Sequence, residues 1–489
     1  MLEKLAKQTA VYGISTIAVR FLNYLLTPYF TRVFGQETYG VMVDVYALIP
    51  FALVLLSMGM ESGYFRFATR AEQAGGDVAL GKRRLFATTW GFTSLAALLF
   101  FAVVALLRHP IARAMGAAYT GHADYVVWVG LIILFDVLAI IPFSRLREQG
   151  RALTYVALRA AGVGVNVALA FSFGLAGLYA TPFGVGWAFV ANLAGSVVTW
   201  LLILRTTDRV VPRIDPRLLA AVLVYSLPLL VSGIAGTANE FLDRQMIKYL
   251  VPEGAMAQLG VYGAITKIAV VMVLFTQMYR LAAEPFFLSN FRKTDFVAMN
   301  AAALKYFVMA SMVIFLLIAM FRDAFALIVG PQFREGIFIL PIVLGANVLS
   351  GVWLNLSFWY KREERTSLAM VVTFTGLLFA VGCNMAFVPR WGYYGAAWAR
   401  FVSEAAMVAV SFYLNRRFFP TPYPVRRIAE LVAVALAAYF ASGLLARWVS
   451  CVGLQYVFNL ALLGGYLCYV VRRERIDVRA LVRAALKRG

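Results

Sequence analysis

The sequence predicts an all-α polytopic membrane protein of about fourteen transmembrane helices, and three observations carry that expectation. Of its 489 residues, 62% are hydrophobic and only 14% charged, with a mean hydropathy of +0.78. Soluble domains are roughly half apolar and a quarter charged. The apolar residues gather into runs of about 20, the length a helix needs to cross the hydrocarbon. Finally, the basic residues alternate in density from one connection to the next, as they do when every second connection faces the cytoplasm.

The runs cover residues 10–32, 38–61, 85–107, 124–143, 153–174, 180–204, 218–242, 257–283, 301–321, 336–358, 367–388, 393–415, 428–448 and 452–471. Gly and Pro interrupt two of them, 180–204 and 336–358. The opening Leu2-Glu3-Lys4-Leu5-Ala6-Lys7 resembles the basic start of a signal peptide. The run behind it is too long for one and offers no small-residue cleavage site, so a retained first helix is expected. The longest connections, 62–84 and 108–123, are too short to build an independent soluble core.

A net charge of +21 invites a nucleic-acid reading, but its distribution argues against one. With the N-terminus in the cytoplasm, the cytoplasmic segments hold 30 of the 45 Lys and Arg residues, and seven lie inside spans. The opposite loops hold eight: Arg32, Arg108, Arg113, Lys248, Arg322, Arg334, Arg390 and Arg447. That asymmetry orients the chain with both termini inside and an even number of spans. The cationic tail from Arg472 carries Ile476, Leu481, Val482 and Leu486 on one side. It reads either as a helix on the anionic inner leaflet or as a solvated extension.

The chain also repeats itself weakly. Phe143, Arg147 and Glu148 match Phe358, Arg362 and Glu363 at one offset. Gly184, Trp187, Ala188, Ala194 and Val197 match Gly395, Trp398, Ala399, Ala405 and Val408 at a second. Gly40, Val41, Met58 and Phe67 match Gly260, Val261, Met278 and Phe287 at a third. Six spans per repeat is an even number, so the copies should be parallel, related by an axis along the membrane normal. The expected organisation is a six-helix lobe over 1–207, a second over 208–420, and two extra helices with a basic tail over 421–489.

Signals for an enzyme are absent, and neither a metal nor a cofactor is expected. No DxD, HExxH, GxSxG or CxxC occurs. Gly76 to Gly81-Lys82 has the spacing of a phosphate-binding loop, but Arg83 stands where Ser or Thr would hold magnesium, and no strand precedes it. His109 and His122 share one outer loop without ligand spacing, and Cys383, Cys451 and Cys468 read as packing residues.

Charges inside the apolar runs are the candidate site, because a charged side chain at mid-bilayer costs a few kcal/mol even on the lenient insertion scale. Thr16, Arg20, Asn23, Thr27 and Thr31 form one polar stripe along the first span. Tyr155, Arg159, Gly162 and Asn166 do so along the fifth. The eighth adds Tyr262, Thr266, Lys267, Gln277, Arg280 and Glu284, the seventh Asn239, Glu240, Asp243 and Arg244, the twelfth Arg400 and Glu404. Glu240 with Arg244, Arg280 with Glu284, and Arg400 with Glu404 stand four apart, close enough to neutralise each other on one helix or to seek partners elsewhere. Arg20, Arg159 and Lys267 have no opposite charge that close along the sequence. Arg20, Arg159, Lys267, Arg280, Arg244 and Arg400 therefore form the candidate cationic cavity. Glu61, Asp136, Glu284 and Glu404 are the candidates for ion coupling, with interhelical pairing to an Arg the equal alternative for Glu61 and Asp136. An excess of cations suits an anionic substrate, since guanidinium forks bind phosphate bidentately. An exporter of organic cations would sooner need unpaired carboxylates and aromatics.

Tyr12-Gly13 through Arg20, Pro28 and Arg32, followed by Tyr39-Gly40, resembles the first two helices of bacterial polysaccharide-biosynthesis proteins. Leu146-Arg147, Leu227-Pro228, Asp243-Arg244 and Gly260-Val261-Tyr262 extend the resemblance. These are O-antigen-type flippases of the multidrug/oligosaccharidyl-lipid/polysaccharide exporter superfamily. The resemblance implies two six-helix lobes around a central cavity, alternating access, and a multi-pass protein of the bacterial cytoplasmic (inner) membrane. It further implies an anionic substrate, an oligosaccharide on undecaprenyl diphosphate used for lipopolysaccharide or a related polymer. A polysaccharide polymerase or glycosyltransferases would be its protein partners, the bilayer its surroundings, and no nucleic acid is involved. The rival readings are a peptidoglycan-precursor (lipid II) flippase, a multidrug antiporter of the same superfamily, and a membrane-embedded enzyme or assembly scaffold.

Overall fold

A computed structural model describes residues 24–73, 77–207, 210–291, 295–363, 365–449 and 451–475, which are helical throughout apart from connections. In order they are α1 (Leu26–Val33), α2 (Gln36–Ser57), α3 (Met60–Gln73), α4 (Val78–Leu106), α5 (Ala123–Glu148), α6 (Ala152–Leu175), α7 (Gly186–Thr206) and α8 (Pro216–Leu250). There follow α9 (Ala255–Ile268), α10 (Val270–Asn290), α11 (Phe296–Met320), α12 (Leu340–Leu356), α13 (Thr366–Phe418), α14 (Val425–Leu445) and α15 (Val452–Glu474). Short helical turns at Arg108–Met115, Arg322–Ala326 and Phe358–Arg362 join them.

Among the described residues, eleven helices are long and apolar enough to cross a bilayer, or twelve when the bent pair α9–α10 counts as one span. One of the eleven, Ser367–Phe418, cannot be a single crossing. At 1.5 Å per residue, the 53 residues of α13 would reach about 80 Å, far beyond the ~30 Å of hydrocarbon. Gly392 interrupts it with φ 55° and ψ −135°, three residues after Pro389. A Cβ on Gly395 would lie 2.5 Å from the Phe387 carbonyl oxygen, although eight residues of straight helix would hold them ~12 Å apart. The chain therefore doubles back, giving the two spans expected at 367–388 and 393–415. From 38–61 onward each expected span falls largely on helical residues, with 38–61 broken at Met58–Gly59, 257–283 on the bent pair α9–α10, and 367–388 and 393–415 on the two arms of α13. The first, 10–32, lies outside the described residues apart from its end in α1, as does the tail beyond Arg475.

Helix starts follow local chemistry. The Asp77 carboxylate accepts from the Leu80 amide at 3.0 Å at the head of α4. Asp215 accepts from the amides of Arg217 (3.0 Å) and Leu218 (3.3 Å) at the head of α8, with Pro216 in the first turn. The Leu218 amide, then the Arg84 guanidinium and the Arg217 amide, hold the Asp215 carboxyl below the ordinary carboxylate range. Lys82 of the phosphate-loop-like spacing sits inside α4, bonded to Glu72 and, at 2.5 Å, to Glu148. Cys451 and Cys468 are exposed rather than packed in a core, and Cys383 is half-buried. Large apolar side chains such as Leu106, Leu175 and Leu378 are also exposed, as suits a chain whose solvent is lipid.

The chain forms two compact units: Met1–Ala264 with Val329–Phe333 and Ala380–Ala396, and Ile265–Ile328 with Arg334–Phe379 and Ala397–Gly489. Within the first unit, α2 crosses α9 at backbone contact. A Cβ on Gly40 would lie 1.9 Å from Met256 O, and one on Gly260 would lie 2.1 Å from Gln36 O. The pairs 36/256 and 40/260 share the offset of 220 that relates Gly40 to Gly260 in the sequence repeat. One turn along, a Cβ on Gly263 would meet the Val43 side chain at 2.5 Å, again at that offset. In the second unit α14 and α15 are tied to α11. Glu474 bonds Lys305 and, at 3.2 Å, Arg427, while Glu430 bonds Arg473 at 3.0 Å.

Candidate functional site

The eighth span is bent by 50° where α9 gives way to α10. Irregular backbone at membrane depth is tolerated where it is buried in protein or lines a water-filled space, and Ile268, Ala269 and Val270 at this break are buried. Lys267, in the last turn of α9, is exposed. On α10, Gln277, Arg280 and Glu284 follow at helical spacing, and the Arg280 side chain is 60% exposed. Glu284 accepts from Lys361 at 2.8 Å and from Arg280 at 3.5 Å. Two cations share one carboxylate, so the cluster keeps a net positive charge. A charge on a transmembrane segment is costly in lipid unless a protein partner, water or an anion meets it.

In the first unit the chemistry is different. Asp243 of α8 is 2% exposed and accepts from the Tyr262 hydroxyl and the Asn384 amide, both at 3.1 Å. Asn384 also donates to Ala380 O at 2.8 Å, which fixes its amide and leaves its Oδ1 buried without a hydrogen-bond partner. A carboxylate beside a buried carbonyl oxygen can take up a proton or a small cation. The neighbouring Arg244 has a buried Nε without a hydrogen-bond partner and lies near Tyr39. Nearby on the same two helices, α2 and α8, Asp44 accepts from Lys248 (2.6 Å), Tyr119 (2.6 Å) and Gln245 (2.7 Å). Both oxygens of that carboxylate are engaged.

The polysaccharide biosynthesis protein family matches residues 5–291, more than half of the chain. The chain belongs to this family. Among solved structures, the lipid II flippase MurJ in an inward closed conformation superposes with a TM-score of 0.76 at 14% identity, covering 96% of this chain and 100% of that one. An inward-facing multidrug resistance transporter of the MATE family, of the MOP superfamily, gives 0.70 at 17% identity, covering 84% and 97%. The MATE multidrug transporter DinF-BH gives 0.62 at 16%, covering 85% and 95%. No curated protein matches the sequence. This polysaccharide biosynthesis protein thus has the helical membrane fold shared by those transporters and flippases.

The sequence-derived site residues of this family member are distributed rather than gathered at one point. Arg20 lies outside the described residues, and the Glu240 side chain does too. Arg159 stacks over the Phe143 ring at 4.2 Å and supplies the charge facing Asp136, which also lies within hydrogen-bonding reach of Ser196. Glu61 is ion-paired with Arg147, whose guanidinium also lies 4.9 Å over the Phe65 ring. Arg400 donates to Asn347 Oδ1 at 3.1 Å, and Glu404 is half-buried on the same helix. Glu61–Arg147 lies in the first unit and Glu284–Lys361 in the second. The sequence reading missed Asp44, Tyr119, Gln245 and Asn384, and it assigned Lys248 to a loop. Asp44 was detectable as the carboxylate in the middle of the run 38–61, whose only other acid, Glu61, stands at its end. Asn384 carries no charge and shows no polar spacing that would have singled it out.

Proposed function

We propose that this protein flips an oligosaccharide carried on undecaprenyl diphosphate from the cytoplasmic to the outer leaflet of a bacterial inner membrane, with both termini cytoplasmic. The observation that carries the reading is that Lys267 and Arg280 are both exposed on the broken eighth span, in a chain of the polysaccharide biosynthesis family. A diphosphate offers two or more negative charges and several acceptor oxygens, which suits a guanidinium fork. Arg20, Arg244, Arg159 and Arg400 complete the proposed cationic path. The lobes 1–207 and 208–420 would alternate access to it, and 421–489 would add the last two helices. Asp243, with Asn384 beside it, is the proposed coupling carboxylate, ahead of Glu61, Asp136, Glu284 and Glu404.

A multidrug antiporter is the weaker reading. The MATE structures cover 84–88% of the chain against 96% for the flippase, a difference of the order of the two C-terminal helices. That same coverage supports a second reading, a peptidoglycan-precursor flippase.

The test reconstitutes the purified protein in vesicles loaded with either fluorescent undecaprenyl-diphosphate oligosaccharide or fluorescent lipid II. Movement of the first, reduced in Arg280→Lys and lost in Arg280→Ala with unchanged melting temperature, is the expected result. Movement of lipid II alone would select the second reading. Movement of neither, with export of a fluorescent organic cation, would overturn both.

A further inference from the structure

At the ends of α11, α14 and α15 opens a cavity of about 660 Å³, lined only by residues of the second unit. Its floor is polar and built. Asn459 donates to Met320 O at 2.8 Å and accepts from the Ser442 hydroxyl at 2.6 Å, so one side chain ties the three helices together. Its rim carries Arg322, Asp323 and Arg447. Arg322 stands 4.0 Å from Asp323, both well exposed, a pairing too loose and too wet to hold the guanidinium. Two cations against one carboxylate leave the rim positive.

The charge distribution makes this unusual. Arg322 and Arg447 are two of the eight basic residues that the sequence assigns to the outer side, and both line one cavity. Beside the rim, Trp448 is 82% exposed, as expected of an aromatic residue at the level of the lipid headgroups. Below it, Phe440 and Leu444 stand one turn apart on α14 and are 67% and 58% exposed. A ligand that satisfied the whole surface would carry a negative phosphate at one end and hydrocarbon at the other.

We propose that this cavity binds the phosphate of an anionic phospholipid of the outer leaflet, its acyl chain lying along Phe440 and Leu444. The Arg447 and Arg322 guanidiniums would take the phosphodiester oxygens, a contact strengthened where lipid displaces water. Neutral phosphatidylcholine carries the same phosphodiester but adds a choline cation, which the positive rim repels. This site is separate from the proposed transport path and does not depend on what is transported.

The experiment is native mass spectrometry of the full-length protein released from detergent with equimolar dioleoylphosphatidylglycerol and dioleoylphosphatidylcholine. The wild type should retain the glycerol lipid several-fold over the choline lipid. The double variant R322Q/R447Q, altered only at exposed positions, should retain both equally, with R447Q alone between. The control R417Q, an exposed cation elsewhere on the second unit, should keep the wild-type preference. Equal retention by the wild type, or an unchanged preference in the double variant, would overturn the proposal. Displacement of phosphatidylglycerol by inorganic phosphate at its own concentration would mark a free-anion site and overturn the lipid assignment.

Discussion

The Asp44 carboxylate and the Lys248 ammonium, 204 residues apart, meet at 2.6 Å with side-chain exposures of 0% and 4%. Tyr119 and Gln245 donate to the same carboxylate, at 2.6 and 2.7 Å. The cluster therefore joins α2, α8 and the turn after Arg108–Met115 through charge-assisted bonds removed from solvent. Such a pair is costly to break and yet gains little over a well-packed apolar replacement.

Lys248→Met should accordingly destabilise the protein by about 3–5 kcal/mol, because it strands a buried carboxylate. Asp44→Leu combined with Lys248→Met should lose less than the sum of the two single variants, with a residual cost from the Tyr119 hydroxyl and Gln245 amide left without their acceptor. Denaturation midpoints in detergent for the single and double variants measure it. Additive losses in the double variant would mean that the two residues do not act as a pair.

Gly40→Ala should also be severe, since its new methyl would lie 1.9 Å from the Met256 carbonyl oxygen, a backbone atom that no rotamer change moves. Separating the helices costs typically about 1–3 kcal/mol or more. Gly164→Ala, in α6 with nothing within 4 Å, should be neutral or stabilising. Equal melting temperatures for the two variants would contradict the close crossing.

These residues show where reading the chain alone stops. Hydrophobic runs marked nearly every span, including the two, 367–388 and 393–415, that meet at the break around Gly392. Periodicity states which residues share a helix face, but it does not state which faces meet. Arg159 and Asp136 look unpaired along their own helices and face one another across two. Lys248 counted as a loop cation because the apolar run fades before it, yet α8 continues about two more turns, to Leu250, and buries it against Asp44. The Gly40–Gly260 repeat was visible as a sequence offset; that the two glycines touch became visible only in three dimensions.

Asp215 supplies a pH dependence. Its carboxyl is held below the ordinary range by the Leu218 amide, with help from Arg84 and the Arg217 amide. A depressed folded-state pKa stabilises the fold above the unfolded value of about 3.9 and is lost as pH falls through the folded value. The wild type should therefore melt higher than Asp215→Ala at neutral pH, and the gap should close below about pH 4. A gap that persists or widens in acid would reverse the assigned sign.

The last prediction separates charge from structure at Asp243. Asparagine at this position still offers a carbonyl oxygen to the Tyr262 hydroxyl or the Asn384 amide, and its new amide group could donate to Asn384 Oδ1, which is buried without a partner. Asp243→Asn should therefore fold with a near-normal melting temperature. Alanine removes the acceptor for both donors and should cost about 1–3 kcal/mol for the buried groups it leaves unmet. If Asp243 carries the coupling ion, flipping in Asp243→Asn vesicles should no longer respond to an imposed proton or sodium gradient, while substrate binding persists. The comparison needs both readouts, because a drop in flipping together with a drop in melting temperature reports only lost structure. A stable Asp243→Asn protein that still follows the gradient would remove Asp243 from coupling and return the role to Glu61 or Asp136, to be tested by Glu61→Gln and Asp136→Asn in the same vesicles.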